Sequence, residues 1–137
     1  MIQVNLKKNR AGFKAHFAMR CQSRRIVLFG PSGSGKSTLL KMLTGLCLPD
    51  QGALTVNGKV VFDSDLGVNI PVHLRRFGYL PQDYTLFPTM TVEENISYGL
   101  RVRKEDFERS TLVEMASKLG IADKLHCQPS GFSNLSP

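Results

Sequence analysis

Arg24-Arg25-Ile26-Val27-Leu28-Phe29 runs directly into Gly30-Pro31-Ser32-Gly33-Ser34-Gly35-Lys36-Ser37-Thr38. Four consecutive apolar residues predict a short buried strand. Residues 30–37 then fit G-x-x-x-x-G-K-[ST], a phosphate-binding loop. Each residue type has a physical reason. Gly30, Gly33 and Gly35 carry no Cβ, so the backbone turns sharply and approaches an anion closely. Successive N–H groups in such a turn form a concave anion site. The helix that follows adds its unpaired N–H groups and its positive dipole end. Lys36 is spaced to reach the β- and γ-phosphates of a nucleotide, and the Ser37 hydroxyl to ligate Mg²⁺. A Gly/Ser-rich turn is the plain alternative. The setting decides against it, because the motif follows an apolar strand and opens a helix in which Leu39, Leu43 and Leu46 share one face and Gly45 is the stop signal.

The 137 residues provide one domain's worth of chain, but few for a phosphate-loop fold built on a five- or six-stranded sheet. No apolar run has the length of a membrane span. Met1-Ile2-Gln3-Val4-Asn5 lacks the basic-then-apolar pattern of an export signal, so the expected location is cytoplasmic, with any membrane association made through partners. Cys21, Cys47 and Cys127 are scattered and odd in number, which argues against a disulfide framework or a zinc site. Residues 1–49 hold nine Lys/Arg and no Asp or Glu, whereas residues 50–137 hold nine Lys/Arg and eleven Asp/Glu. Such a basic half suggests a nucleic-acid or anionic-lipid surface. No basic stripe interleaved with aromatics accompanies it, so no nucleic-acid partner is expected.

Working outward, Ile2, Val4 and Leu6 alternate with polar residues, as do Phe13, Ala15, Phe17 and Met19, which predicts a hairpin across 9–12. Pro49-Asp50-Gln51-Gly52 is a turn. Leu54 to Phe62 reads as a second hairpin around Asn57-Gly58, the strongest short turn signal. Asp63 to Asn69 reads as a polar loop. Arg75-Arg76 precedes a predicted strand, Phe77-Gly78-Tyr79-Leu80, which stops at Pro81. Thr91-Val92-Glu93-Glu94 is a capping box for a short helix toward Gly99. A further helix is predicted from Lys104 to Leu119, with Leu112, Met115, Ala116 and Leu119 as its apolar stripe and Gly120 as its stop.

The order of these motifs carries a resemblance. The phosphate loop, Gly45-Leu46-Cys47-Leu48-Pro49-Asp50-Gln51-Gly52, Asn57-Gly58, Tyr79-Leu80-Pro81-Gln82-Asp83-Tyr84-Thr85-Leu86-Phe87-Pro88 and Thr91-Val92-Glu93-Glu94-Asn95-Ile96 follow one another at the spacing of ABC transporter ATP-binding subunits. The match spans essentially the whole chain. It is nearest to the importer branch, among ATPases of the molybdate, sulfate and polyamine type.

The resemblance implies an α/β phosphate-loop NTPase fold of the ABC type, present in part. Residues 1–82 would form the antiparallel β subdomain and the Walker A part of the core, and residues 83–137 the Q-loop and part of the helical subdomain. Gly30 through Thr38, Lys36 among them, would bind ATP. Gln82 would be the Q-loop glutamine, near Mg²⁺ and the attacking water, placed with Lys36 in the catalytic set and with Ser37 at the metal. Adenine would stack on an aromatic of the first hairpin, with Phe13 preferred, Phe17 the alternative, and a core role open for both. Partners would be a membrane permease and, for the full-length family, a second ATPase subunit.

Departures from the family pattern matter equally. No apolar strand ends in Asp-Glu. Val60-Val61-Phe62-Asp63 comes nearest, but Ser64 stands in the place of the Glu and the stretch follows a hairpin. Pro129-Ser130-Gly131-Phe132-Ser133 begins like the signature, yet Asn134 and Leu135 replace its two glycines, and Leu135-Ser136-Pro137 offers a second possible start. His16, His73 and His126 all precede the expected switch histidine. The sequence therefore predicts an importer ATPase in truncated form that binds nucleotide without appreciable turnover and self-associates through apolar faces. The alternative is a nucleotide-binding or nonfunctional fragment without transport coupling.

Overall fold

The computed structural model of the chain describes residues 1–10, 12–82 and 85–129, with Arg10 and Phe13 described by backbone alone. The chain divides into two compact units, Met1–Tyr79 and Leu80–Pro137.

The first unit is built on a five-stranded antiparallel sheet. Its strands are β1 (Ile2–Arg10), β2 (Phe13–Cys21), β3 (Gln51–Val56), β4 (Lys59–Asp63) and β5 (Val68–Asn69). Their order across the sheet is β2-β1-β3-β4-β5. The alternation in the sequence sets the register. Val4 lies opposite Met19 on one side and Leu54 on the other, and Leu6 lies opposite Phe17 and Gly52, so the face carrying Val4 and Leu6 is apolar at these positions. Helix α1 (Lys36–Thr44) packs on that face. The core unites Val4, Leu6, Leu39, Met42, Leu54, Val61 and Phe62, with Phe17, Met19 and Leu28 half-buried at its margin. Truncating a buried side chain such as Leu39 to Ala costs about 2–5 kcal/mol at sites of this kind.

Two local features hold the sheet in register. Asn57 and Gly58 adopt φ of 50° and 79°, the left-handed pair that a two-residue hairpin turn requires. Gly52 takes φ 108°, and a Cβ there would come within 1.9 Å of the Asn5 carbonyl oxygen, so β3 can lie against β1 only with glycine at this position. Between Leu54 and Thr55 the register shifts past Val61, and this irregularity lets both Val61 and Phe62 be buried.

The second unit has two helices, α2 (Val92–Arg103) and α3 (Arg109–Lys118), and a 3-10 turn at Ala122–Lys124. Leu112, Ala116 and Leu125 form its small core, with Val92, Val113, Ile121 and Ala122 against them. The capping box is present in full: the Thr91 hydroxyl accepts from the Glu94 N–H, and the Glu94 carboxylate accepts from the Thr91 N–H at 2.8 Å.

The structure corrects several expectations. Residues 25–30 and 76–80 are not strands. Val27 is 89% exposed, Phe29 fully exposed and Leu80 80% exposed. Both stretches are apolar enough for buried parallel strands, but a strand forms only with ladder partners. The described residues supply partners only within the antiparallel sheet.

On α1, Met42 is buried and Leu46 exposed, because the helix ends at Thr44 and Gly45 reverses the chain at φ 88°. Helix α2 continues past Gly99 to Arg103, ending where Lys104 turns left-handed at φ 54°. That same turn delays α3 to Arg109, so the helix predicted from Lys104 is shorter by five residues at its start. Met115 and Leu119 of its predicted stripe are exposed. Val68–Asn69, read as loop, adds β5 to the sheet edge.

Candidate functional site

The phosphate loop connects residue 29 to the first turn of α1. Gly33 and Gly35 sit at φ 79° and 88°, values that residues with a Cβ adopt only under strain. Gly30 is crowded as well, since a Cβ on it would meet the Ser34 Oγ at 3.0 Å. Inside this turn the Lys36 ammonium donates to the carbonyl oxygens of Gly30 and Pro31 at 2.8 and 2.7 Å, and to Ser34 Oγ at 3.4 Å. The cation therefore satisfies the loop's own oxygens at the point where an incoming anion would compete for it. Helix α1 carries no acidic residue in its first turn, so nothing there opposes an anion at its positive end. Ser32, Ser37 and Pro31 are exposed and Thr38 is half-buried.

A cleft of about 290 Å³ opens beside the loop, lined by Phe17, Leu28, Phe29, Gly30, Pro31, Ser34, Lys36 and Leu39. Phe17 reaches this cleft from β2, opposite Leu6. Of the two aromatics considered for base stacking, Phe17 is thus at the loop, whereas the Phe13 side chain lies outside the described residues.

Gln82 is an exposed turn residue near the start of the second unit. Residues 87–91 are braced by Asn95, to which no sequence motif assigns a role. Its Oδ1 accepts from the Phe87 N–H at 2.8 Å, and its Nδ2 donates to the carbonyls of Phe87, Met90 and Thr91 at 3.1, 3.2 and 2.9 Å. The Phe87 and Tyr98 rings pack with centroids 4.4 Å apart. At the start of α2, Glu93 accepts two hydrogen bonds from the Arg109 guanidinium, at 2.7 and 3.0 Å. That pairing holds the Glu93 carboxyl below its ordinary pKa and lifts that of Arg109. Glu94 is lowered too, first by the backbone hydrogen bond from Thr91 and then by its hydroxyl.

Arg75 has no motif in the sequence to mark it. Its half-buried guanidinium donates to the carbonyls of Ile70, Met42 and Leu43 and to Asn69 Oδ1, and burial lowers its pKa from the ordinary arginine value. Its helix partners lie more than thirty positions away, so no local pattern announced it.

Other candidates resolve into structural roles. Asp63 turns its carboxylate onto the N–H groups of Asp65 and Leu66 at 2.9 and 3.0 Å, an Asx turn and not a metal-facing position at the end of a parallel strand. His16 pairs with Asn5 Oδ1. His126 lies 3.9 Å from Glu93, and His73 is exposed. The signature-like residues beyond Pro129 lie outside the described residues. Among the described residues no group of three or more His, Cys, Asp or Glu is placed to hold a metal, and no helix is long and apolar enough to cross a membrane.

Comparison with known proteins agrees with this geometry. Over 133 residues the chain is 32% identical to the molybdenum import ATP-binding protein ModC of Paramagnetospirillum magneticum, covering 97% of this chain and 37% of that protein. It is 38% identical over 133 residues to the molybdate/tungstate import ATP-binding protein WtpC of Archaeoglobus fulgidus, covering 96% and 52%. The chain thus spans between about a third and a half of the length of these relatives. The solved dimeric structure of MJ0796, a bacterial ABC transporter cassette, superposes with a TM-score of 0.70 at 22% identity, covering 98% of this chain and 64% of that one. That likeness establishes the fold, an α/β ABC-type nucleotide-binding domain in part. The family model described as ABC transporter matches residues 16–137, and with the glycine-lined loop around Lys36 already in place, the chain belongs to the ABC transporter family.

Proposed function

We propose that this chain is the ATP-binding part of an importer ATPase for a small oxyanion of the molybdate or tungstate kind. The observation that carries the reading is the Lys36 ammonium held between the Gly30 and Pro31 carbonyls, inside a left-handed glycine turn at a helix start. Triphosphate oxygens would draw that ammonium from the carbonyls, and the loop N–H groups would bind the rest of the phosphate chain. The kinds of cargo named for the relatives support the choice of solute class.

In this reading residues 30–38 cradle the phosphates and Phe17, or Phe13, stacks adenine. Ser37 and Gln82 would offer neutral oxygens to Mg²⁺, a donor set suited to that hard cation when the phosphates bring the charge. A magnesium ion held there would supply charge neutralisation to the phosphates. Gln82 would orient water, and its loop would report nucleotide to a permease bound to the second unit. Assembly would be as a dimer, peripheral on the inner face of the membrane. Residues 1–82 and 83–137 are proposed as the corresponding functional divisions.

The 137 residues by themselves are proposed to bind MgATP without appreciable hydrolysis, because Asp63 is committed to its turn and, among the described residues, no carboxylate lines the cleft at the loop. Calorimetric titration with MgATP, with Lys36→Ala as control, tests the reading. Saturable binding lost in the variant supports it, and the absence of binding by the natural chain overturns it. A second reading, a nucleotide-binding module without transport coupling, draws on residues 25–30, which form no strand and among which Val27 and Phe29 are exposed.

A further inference from the structure

The phosphate loop opens α1 at one end, and at the other end the helix is gripped by a single side chain. The Arg75 Nη1 donates to the carbonyls of Met42 and Leu43 at 2.9 and 3.1 Å, oxygens of the last helical turn. The Nε donates to the Ile70 carbonyl at 2.7 Å and Nη2 to Asn69 Oδ1 at 2.9 Å. One planar cation thus ties the helix C-terminus to the end of β5 and the residue after it, where the helix dipole favours positive charge. Space for it is reserved. Gly45 faces the guanidinium so closely that a Cβ would lie 2.9 Å from the Arg75 Cζ.

The next residue is unusual in a different way. Arg76 holds a left-handed φ of 55° with no glycine to excuse it. Non-glycine residues keep such a conformation only where their surroundings over-determine it. Here the fixed neighbour is Arg75, whose own N–H also bonds to the Val72 carbonyl at 3.1 Å. Beyond Arg76 the chain runs without regular structure through 77–80 to Gln82. An anchor on the phosphate-loop helix, a strained joint and a lead-in without regular structure therefore stand in immediate succession.

We propose that Arg75 is a positioning residue that couples the C-terminus of the phosphate-loop helix to the segment leading into Gln82, with Arg76 as the joint. This rests on the nucleotide reading of residues 30–38 given above. When an anion settles on the helix N-terminus, any displacement of α1 is carried by the guanidinium to residues 75–80, because the carbonyls it holds and the backbone it belongs to move together. Lysine would keep the charge but has no fork with which to hold the α1 carbonyls and the 69–70 segment at once.

Hydrogen exchange on the full chain, with and without MgATP, tests this. Without nucleotide, Arg75→Gln is expected to exchange about tenfold faster in both 43–47 and 74–75, where the amides of Gly45, Cys47, Leu74 and Arg75 are hydrogen-bonded, reflecting the loss of hydrogen bonds from a charged group. Arg75→Lys, the variant that retains the cation, is expected to lie between. Faster exchange in one segment alone would overturn the coupling. With MgATP, the natural chain should slow at 30–38 and at 74–80. Arg75→Gln should keep the slowing at 30–38 and lose it at 74–80, a separation that a purely structural role would not produce. Arg76→Gly, which accepts the same φ without strain, should leave 43–47 unchanged. Protection at 30–38 without any response at 74–80 in the natural chain sinks this proposal alone. No protection at 30–38 sinks the nucleotide reading on which it stands.

Discussion

The Lys36 ammonium donates to the Gly30 carbonyl oxygen at 2.8 Å, folding the side chain back over the loop that precedes it. In the proposed function, nucleotide binding would be an exchange: a charge-assisted bond to a peptide oxygen would be given up for stronger ones to phosphate. Lys36→Ala removes the cation and is expected to weaken MgATP binding about a hundredfold, the loss of roughly 3 kcal/mol that charged hydrogen bonds contribute. Calorimetry reads the affinity. An unchanged dissociation constant in Lys36→Ala would show that the loop does not hold the triphosphate.

Phe17 and Phe13 separate by ligand. Phe17 lines the cleft at the loop, so Phe17→Ala should weaken ATP about tenfold, the scale of one lost base–aromatic stack, while leaving inorganic triphosphate affected far less. Phe13→Ala is the parallel variant. A selective loss of ATP in Phe13→Ala and not in Phe17→Ala would assign the stacking role to the hairpin's first aromatic.

Gly52→Ala places a methyl group against the Asn5 carbonyl oxygen at a backbone angle alanine resists. The expected destabilisation is about 2–4 kcal/mol, combining overpacking with backbone strain. The midpoint of urea unfolding of the first unit reports it. Equal midpoints for variant and natural chain would contradict the close approach of β3 to β1.

Acid should loosen the second unit through Glu93 and Glu94. Both carboxyls are held below their ordinary values, Glu93 by the Arg109 guanidinium and Glu94 by the Thr91 N–H. A depressed carboxyl stabilises the fold above its unfolded pKa, and that contribution disappears as pH falls through the folded value. The helical unit should therefore lose stability on acidification from about pH 5 downward and show little change between about pH 6 and 8 from these groups. Thermal melts of Glu93→Gln should show a shallower acid dependence than the natural chain, and equal slopes would count against the pairing.

Val27 and Phe29 leave apolar side chains in solvent in the first unit, as Leu80 does in the second, and exposed apolar side chains favour association. Sedimentation should show mass rising with concentration, and Val27→Ser with Phe29→Ser should return the chain toward monomer. A monodisperse monomer at all concentrations would remove the expectation.

Sequence alone determined those features whose causes lie within a few residues. The glycine turn of 30–35, the Asn57-Gly58 hairpin and the Thr91–Glu94 capping box each depend on backbone angles or hydrogen bonds spanning four positions or fewer. The alternation of Ile2, Val4 and Leu6 likewise marked the face on which α1 packs. Tertiary structure decided what depends on distant partners. Whether Ile26–Phe29 and Phe77–Leu80 become strands turns on neighbours that hydrogen-bond to them, and apolar composition alone cannot supply a ladder. Arg75 illustrates the same point from the other side. Nothing beside it in the chain points to Met42 and Leu43, and only folding brings the carbonyls of α1 within reach of its guanidinium.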